Sequence, residues 1–285
     1  MTADRHDNAD DDLLSATLVN SARDGERHAL ETLVRAVSGD VYRLALRMTG
    51  SVEDAEDATQ EILIKVITRL STFRADASLR TWVYRIAVNH LLDRRKGRVE
   101  ALDLNWESFA TDLLDGLADS AAAHDAALVE EVKLGCTLAM LTCLDREDRV
   151  AYLLSEVFDL PHETAAQMLH ASSAGYRQRL SRARRRIEGF TEAYCGLVNP
   201  QAPCRCDRRV SRAIELGRLT RDRLVLTTHP KTATEKHVRD MERLYSTAAL
   251  MRAHPEYAAP EAVIRAILDT ALVAARDDDA DLTIG

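Results

Sequence analysis

The segment SSAGYRQRLSRARRRIEGF, residues 172–190, constrains the fold more tightly than any other part of the sequence. Its apolar positions recur at steps of four, three and four, the spacing of one helix face: Tyr176, Leu180, Ala183 and Ile187. None of the six arginines between Arg177 and Arg186 falls on that face. The segment therefore predicts a helix that packs by one side and carries guanidinium groups around the rest.

The preceding stretch, LPHETAAQMLHA at residues 160–171, has the pattern of a shorter helix. Pro161 suits the first turn of a helix, and Glu163 favours its positive end. The chain then turns at His170, where glycine is more common, but histidine tolerates a left-handed backbone. Ser172 is placed to cap the next helix. A short helix, a tight turn and an arginine-rich helix predict a helix-turn-helix, which favours DNA binding over a solvated basic face.

Composition sets the fold class and the compartment. The 285-residue chain is 46% hydrophobic but only 5% aromatic, and glycine and proline are scarce, so we expect an all-α protein of two or three domains. Five cysteines do not make a disulfide framework, and the acidic start MTADRHDNADDD is unlike a secretory signal. No run has the length of a membrane span. These features predict a cytoplasmic protein without membrane insertion.

Changes in composition divide the chain into five parts. Residues 1–27 form an acidic tail and lead-in, and residues 28–98 are strongly helical and end in RRKGR. Residues 99–131 are an acidic linker without lysine or arginine. Residues 132–190 form a helical unit that ends in the arginine-rich helix. The last part, residues 191–285, is a C-terminal extension that we predict to be regulatory.

The helix predicted in DAEDATQEILIKVITRLSTF, residues 54–73, has two distinct faces. Its core stripe comprises Ala55, Ala58, Ile62, Val66, Leu70 and Phe73. A second face carries charged residues at steps of three, four and four: Asp54, Asp57, Glu61 and Lys65. Taken alone, this segment favours a solvated amphipathic helix.

The loop RADASLR at residues 74–80 and the segment TWVYRIAVNHLLDRRKGR at residues 81–98 interleave aromatic and basic side chains. The relevant residues are Arg80, Trp82, Tyr84, Arg85 and Asn89. Rings can stack on unpaired bases while cations hold the backbone, so the arrangement suits melted DNA. Alone, Trp82 and Tyr84 would be interpreted as core residues, and their basic neighbours weaken that interpretation.

The order of these motifs resembles the extracytoplasmic-function class of bacterial sigma factors. The resemblance rests on DAEDATQEILIKVITRLSTF, TWVYRIAVNHLLDRR, the acidic linker and LPHETAAQMLHASSAGYRQRLSRAR, and covers residues 28–98 and 132–188. It implies that the first domain binds core RNA polymerase and helps melt the minus-ten promoter element. The second domain would read the minus-thirty-five element. Core RNA polymerase and promoter DNA are the implied partners, with an anti-sigma factor or other regulator as a further candidate.

The resemblance assigns the site residues in three sets. The polymerase-facing helix would carry Asp54, Asp57, Gln60 and Glu61. The minus-ten element would meet Arg74, Ser78, Arg80, Trp82, Tyr84, Arg85 and Asn89, with the loop at residues 74–80 and Asn89 holding a flipped base. The minus-thirty-five element would meet Ser172, Ser173, Arg177, Arg179, Arg182 and Arg185.

The acidity of the chain has two expected consequences. A formal net charge of −8 would keep the unbound protein from nonspecific DNA, leaving only local basic patches to attract phosphate. The acidic linker at residues 99–131 would be a nucleic-acid mimic that threads a positively charged polymerase channel. The other interpretation of the linker is an unstructured tether.

The extension opens with YCGLVNPQAPCRCDRR, in which three cysteines fall within twelve residues: Cys195, Cys204 and Cys206. These thiolates would suit zinc with His229 or His237 as a fourth ligand, although paired Cys-x-x-Cys knuckles are absent. A redox role and structural thiols are the other interpretations, and we expect no required cofactor. Cys136 and Cys143 lie at heptad spacing among apolar residues and are predicted to be core.

Two more amphipathic helices are predicted in the extension, in ATEKHVRDMERLYSTAALMRA and PEAVIRAILDTALVAA. They would fold back on the sigma domains or bind a regulator, and His229, His237 and His254 are individually expected at the surface or in packing.

Two other functions are alternatives to the sigma factor. The runner-up is a dimeric helix-turn-helix regulator with a C-terminal sensing domain, which would leave Trp82, Asn89 and the preceding loop without a role. An enzyme with Cys195 or Cys204 as nucleophile has no local motif, so we expect no enzymatic activity.

Overall fold

A computed structural model describes residues 16–117, 125–230 and 247–270 of the chain. Within these ranges every regular element is helical, and only isolated β-bridges join Cys195 to Cys204 and Thr220 to Arg223. The predicted all-α fold is confirmed for this part of the chain. None of the helices described is both long and apolar enough to cross a membrane.

The N-terminal domain is a bundle of four helices, α1 to α4, which span Ala16–Arg23, Arg27–Thr49, Val52–Thr68 and Leu79–Asp93. Helix α2 packs along α3, and both contact α4, while α1 lies against α2. The core stripe predicted for α3 is buried from Ala55 to Leu70, and Phe73 packs against the core half-buried. The bundle therefore fixes which faces of α3 and α4 are left for partners.

Local sequence explains where these helices begin and end. Gly50 has a φ of 70° and ends α2 in the left-handed conformation that glycine adopts without strain. The side chain of Ser51 then accepts a hydrogen bond from the backbone N–H of Asp54 and caps α3. Ser78 caps α4 in the same way through the N–H of Thr81. These caps give the ends of α3 and α4 defined positions.

The linker predicted at residues 99–131 is more ordered than a tether where it is described. A 3₁₀ turn at Glu100–Leu102 leads to helix α5, Trp106–Leu114, which begins with a capping box at Asn105. The rings of Trp106 and Phe109 lie 5.1 and 5.3 Å from the ring of Phe190. The interpretation as an unstructured tether is therefore wrong for this half of the linker, because its apolar face is packed.

The helix-turn-helix domain contains α6 to α9, which span Ala126–Thr142, Arg146–Tyr152, His162–Met168 and Ser173–Tyr194. A π-helical turn at Leu153–Val157 extends α7. His170 has a φ of 48°, so the turn before α9 uses the left-handed conformation predicted for this histidine. The predicted apolar stripe of α9, from Tyr176 to Ile187, is fully buried.

The described parts of the extension pack back onto both domains. They include α10 at Cys206–Glu215, α11 at Thr247–Arg252 and α12 at residues 261–270. Thr247 shares a hydrogen bond of 2.7 Å with Thr191 of α9, and Glu261 accepts two hydrogen bonds from Arg35 of α2 at 2.8 and 2.9 Å. Most of the first predicted extension helix, with His237, lies outside the described residues, as does the acidic tail at residues 1–15.

Candidate polymerase-binding and DNA-binding surfaces

The acidic face of α3 is open to partners at two of its four predicted positions. The side chain of Asp57 is 70% exposed and that of Glu61 is 55% exposed. Glu61 lies 3.2 Å from Nε2 of His90, whose pKa is lowered by burial and by Lys65. Gln60 is half-buried beside them. Asp57 and Glu61 thus form an acidic surface on a rigid helix.

Asp54 does not belong to this surface, which corrects its predicted role. Its side chain is only 14% exposed and accepts a hydrogen bond of 3.0 Å from the backbone N–H of Arg98. The guanidinium of Arg94 lies 3.8 Å from the same carboxylate and donates to the Asp54 carbonyl. A Cβ added at Gly97 would clash with this carboxylate at 2.4 Å. Asp54 therefore holds the RRKGR segment against the start of α3.

One side of α4, together with the loop before it, collects most of the residues predicted for melted DNA. Trp82, Arg85 and Asn89 are spaced at three and four residues and are all half-exposed, so they share one helix face. The ring of Trp82 lies 5.5 Å from that of Phe73, which fixes the indole while leaving part of it open. Arg74 and Ser78 in the loop are exposed. These residues form the candidate minus-ten surface.

Two residues predicted for the minus-ten element are occupied elsewhere in this structure. Arg80 points to α2, where its Nε lies 3.2 Å from the carboxylate of Asp40. Tyr84 is buried, and its ring is 5.7 Å from Phe158 of the helix-turn-helix domain. The prediction that Tyr84 meets DNA is thus wrong for this arrangement of the domains, since the ring fills their interface.

The exposed side of α9 is a shallow groove lined by six exposed residues: Ala174, Arg177, Gln178, Ser181, Arg182 and Arg185. Their steps of three, one, three, one and three keep them on one helix face. Ser172 caps the helix through the N–H of Gly175 at 3.1 Å, and Ser173 is exposed at the first turn. Gln178 and Ser181 were missed at the sequence level, although the same spacing rule would have placed them with Arg177.

Other arginines of α9 form ion pairs within the domain. Arg179 lies 2.5 Å from Glu147, and Arg184 pairs with Glu156. Arg182 donates to Asp148 at 2.9 Å, so this groove residue is held at one end by the protein itself. Arg177 and Arg185 are both exposed, and the only bond described for the Arg185 side chain is to the Ser181 carbonyl at 3.3 Å.

A buried ion cluster joins the two domains at the start of the linker. The Glu100 carboxylate accepts hydrogen bonds from Arg146 at 2.6 and 2.9 Å and from Arg149 at 2.8 Å. Arg149 is 3% exposed and also donates to the carbonyl of Met48 at the end of α2. Burial alone would raise the pKa of Glu100, but its hydrogen bonds and the charges of both arginines hold it below the ordinary value.

This cluster lies beside an aromatic and cationic contact between the same domains. The buried guanidinium of Arg47 lies 5.7 Å from the ring of Phe158, which also contacts Tyr84. The contacts of Phe158 with Arg47 and with Tyr84 were not predicted, because each joins residues more than seventy positions apart in the sequence. No local pattern marks such partners. Together the ion cluster and the Phe158 contact hold the helix-turn-helix domain against α2 and α4.

The acidic linker is paired with arginines of the extension. Asp112 on α5 lies 3.4 Å from Arg209 and 2.6 Å from Arg218, and Asp115 pairs with Arg212. Arg209 also donates to the Asp115 carbonyl at 2.6 Å. The carboxylates that the sequence presents as a nucleic-acid mimic are thus partly neutralised inside the chain.

A further anchor fixes the middle of the extension. The buried carboxylate of Glu131 on α6 accepts hydrogen bonds from three consecutive backbone N–H groups, those of Val225, Leu226 and Thr227, at 2.7 to 2.8 Å. The hydroxyl of Thr227 donates to it as well. Glu131 was assigned to the linker at the sequence level, and it belongs to α6 instead.

The three cysteines predicted as metal ligands lie together, and His229, one of the two histidines predicted as a fourth ligand, does not join them. Cys195, Cys204 and Cys206 line one small cavity, but His229 stacks on Tyr42 with ring centroids 4.8 Å apart. Cys136, predicted as an ordinary core residue, lines the same cavity. As the side chains stand, the described part of the chain contains no group of three or more His, Cys, Asp or Glu residues arranged to hold a metal ion.

Two family models match the two domains in the predicted order. The model for sigma-70 region 2 matches residues 33–99, and that for sigma-70 region 4 matches residues 134–187. The first contains the exposed faces of α3 and α4, and the second contains the groove of α9. Both the acidic linker and the extension fall outside these matches.

Two of the proteins to which the chain is similar are RNA polymerase sigma factors. The chain is 30% identical over 165 residues to the ECF RNA polymerase sigma factor SigE of Mycolicibacterium smegmatis, covering 56% of this chain and 60% of that protein. It is 29% identical over 178 residues to the RNA polymerase sigma-H factor of Pseudomonas aeruginosa, covering 60% and 90% respectively. A solved structure of CnrH in complex with the cytosolic domain of CnrY aligns with 62% of this chain and 96% of CnrH at 23% identity and a TM-score of 0.45.

The sequence motifs and the comparisons with known proteins thus indicate the same family. Two sigma-70 regions stand in the predicted order, and a sigma factor matched over 90% of its length is among the relatives. The chain contains sigma-70 regions 2 and 4 in the order expected of the extracytoplasmic-function class of bacterial RNA polymerase sigma factors, and the proteins to which it is similar include members of that class.

Proposed function

We propose that the chain acts as a sigma factor that directs core RNA polymerase to specific promoters, and that it uses two surfaces of opposite charge for this function. The acidic surface of Asp57 and Glu61 binds polymerase, and the groove of α9 contacts the minus-thirty-five element. The observation that carries this proposal is that the two exposed surfaces lie on separate matched regions. The protein acts in the cytoplasm as an initiation factor, while polymerase supplies the chemistry.

The face of Trp82, Arg85 and Asn89 is proposed to hold the melted minus-ten strand. Part of the indole is open to stack on an extruded base, and Arg85 is positioned to neutralise the strand's phosphates. Extruding a base costs a few kcal/mol, which one small surface cannot supply alone. Melting therefore depends on polymerase. An anti-sigma factor or other regulator stays a prediction of the family resemblance.

Reversing the charge of Asp57 tests the polymerase surface. Asp57→Lys should weaken binding to core polymerase about tenfold or more, because a favourable charge becomes a repulsive one at the interface. The fold should be unchanged, since exposed substitutions usually alter stability by less than about 0.5 kcal/mol. Core binding measured by fluorescence anisotropy checks this, with the exposed Glu192→Lys as control. If Asp57→Lys and Glu192→Lys bind core polymerase equally well, Asp57 lies on an ordinary solvated face and does not bind polymerase.

We further propose that the extension restrains the linker while the protein is free. Asp112 and Asp115 cannot face a basic polymerase channel while Arg209, Arg212 and Arg218 hold them. Binding of polymerase would then replace these ion pairs with its own cations. The extension is regulatory in this sense, because it competes for the same carboxylates.

Removing one of these carboxylates tests the restraint. Asp112→Ala removes the ion pairs with Arg209 and Arg218, so the contact between the extension and the linker should lose about 1 kcal/mol of stability. The loss is small because these pairs are only partly buried. Amide hydrogen exchange in Cys206–Glu215 should rise. Glu107→Ala on the same helix is the control. If exchange in α10 is equal in the two variants, the ion pairs do not hold the extension.

A further inference from the structure

Four of the chain's five cysteines line one small cavity where the extension meets α6: Cys136, Cys195, Cys204 and Cys206. The cavity has a volume of about 20 Å³, which leaves room for about one water-sized occupant. Cys143, seven residues after Cys136 on the same stretch, does not line it. Cysteines separated by up to seventy positions in the sequence thus line one cavity.

The backbone holds the extension's three cysteines in place around this cavity. Cys195 and Cys204 form a β-bridge in which the N–H of Cys204 donates to the Tyr194 carbonyl, and that of Gly196 donates to the Cys204 carbonyl, both at 3.1 Å. Cys206 follows at the first residue of α10. Cys136 reaches the cavity from the third turn of α6. The four positions are therefore fixed by two helices and a paired loop.

The surroundings of the four thiols contain groups that favour thiolates as well as burial, which opposes them. Burial raises the pKa of all four, to about 11 for Cys204 and about 12 for Cys206. Opposing influences are already present, because hydrogen bonds from the backbone N–H groups of Leu197 and Val198 lower the pKa of Cys195. The positive charges of Lys133, Arg205 and Arg209 favour ionisation of the other thiols.

Four cysteines around one cavity would select a particular class of ligand. Thiolates are soft donors, and a closed set of four suits tetrahedral Zn²⁺ with no position left for a substrate. We propose that Cys136, Cys195, Cys204 and Cys206 form a structural zinc site that fastens the extension to α6. Because no three of these side chains are in ligand geometry in the structure, closing on the ion requires changes of cysteine rotamer.

Zinc binding would change both the charge and the protonation of the four cysteines. Binding of Zn²⁺ forms four zinc–sulfur bonds and breaks four S–H bonds, so the complex carries a charge of −2 and its protons pass to solvent. Lys133, Arg205 and Arg209 lie close enough to offset that charge. Nothing is oxidised. The inference does not depend on the proposed sigma function, since it concerns only how the extension is attached.

Metal content of the full-length chain, purified under reducing conditions, tests the site. Mass spectrometric analysis should find one zinc per chain in the wild type and in Cys143→Ser, the matched control. Each of Cys136→Ser, Cys195→Ser, Cys204→Ser and Cys206→Ser should hold less than about a tenth of that amount, as expected when a closed four-ligand site loses a ligand. Retention of zinc by Cys136→Ser would overturn the four-thiolate assignment.

Proton release from the wild type keeps the test independent of whether a variant folds. Adding Zn²⁺ to the reduced apoprotein at pH 7 should release about four protons per ion, because a cysteine thiol with an ordinary pKa of about 8.5 is protonated at this pH and binds zinc as a thiolate. Release of three or fewer would exclude Cys136 or another member from the site. Wild-type protein that takes up no zinc, or that forms a disulfide between cavity cysteines in its place, would overturn the proposal.

Discussion

Replacing Glu100 with Gln should open the interface between the two sigma domains. The substitution keeps the shape of the side chain but leaves Arg146 and Arg149 without the carboxylate that they share, and Arg149 is almost fully buried. Removing one partner of a buried ion pair costs about 3–5 kcal/mol, because the remaining charge is uncompensated. We expect the free energy of unfolding, measured with urea, to fall by that amount. Because the two domains should separate, we also expect the radius of gyration to increase in solution scattering.

The same variant connects the interface to function. Opening exposes Tyr84, which Phe158 covers when the two domains are in contact, so polymerase holoenzyme formed with Glu100→Gln should bind minus-ten DNA more tightly than holoenzyme formed with the wild type. Glu107→Gln, an exposed acid on the neighbouring α5, is the control and should change neither property. If Glu100→Gln leaves both unfolding and scattering unchanged, the buried cluster does not hold the domains together.

Acid should produce the effect of this substitution in the wild type. The pKa of Glu100 is lower in the folded chain than its ordinary value, so its stabilisation is complete at neutral pH. That stabilisation is lost as the pH falls through the lowered pKa and the carboxylate gains its proton. Wild type and Glu100→Gln should therefore converge in unfolding free energy at acid pH, while a constant difference between them would contradict the assigned charge.

Substitutions in the groove of α9 should separate base recognition from charge attraction. Arg177 lies in the first turns of the helix, where side chains of a helix-turn-helix reach base edges. Arg177→Ala should cost about 1–3 kcal/mol at the preferred upstream element and relax the choice of base there. Arg185 lies two turns later, so Arg185→Ala should weaken all sequences alike and reduce the salt slope by about one.

These two variants are matched controls for each other, because both arginines are exposed on one face. Binding is measured with the polymerase holoenzyme on a promoter library at several salt concentrations. The roles are reversed if Arg185→Ala changes base preference while Arg177→Ala alters only the salt dependence. If neither affects promoter binding, the groove is a solvated basic surface.

Sequence periodicity predicted the helices and their buried faces well, because each is a local property of the chain. The stripe from Tyr176 to Ile187 is buried as expected, and the left-handed turn at His170 follows from the short spacing between two helices. The boundaries moved by a few residues, as in α9, which continues to Tyr194. Helix ends depend on caps and on tertiary contacts that periodicity does not record.

Some of the predicted site residues are exposed, whereas others are held inside the protein by a residue that is distant in the sequence. Asp54 and Tyr84 share their spacing with exposed neighbours, but Arg98 and Phe158 hold them inside the protein. Cys136 fitted a core heptad equally well, and only the fold brings it to the other cavity cysteines. A spacing rule assigns a residue to a face of its own helix, whereas the packing of other segments decides whether that face is open.

Promoter-dependent transcription tests the central claim most directly. Purified core RNA polymerase is supplied with fragments of the genome that encodes this chain, with and without the full-length protein, and runoff transcripts are mapped. The account predicts initiation at a restricted set of promoters only when the protein is present, with much less transcript for Asp57→Lys. Core polymerase that initiates equally well without the protein, while the protein binds palindromic duplex as a dimer, would contradict the sigma assignment and favour a helix-turn-helix regulator.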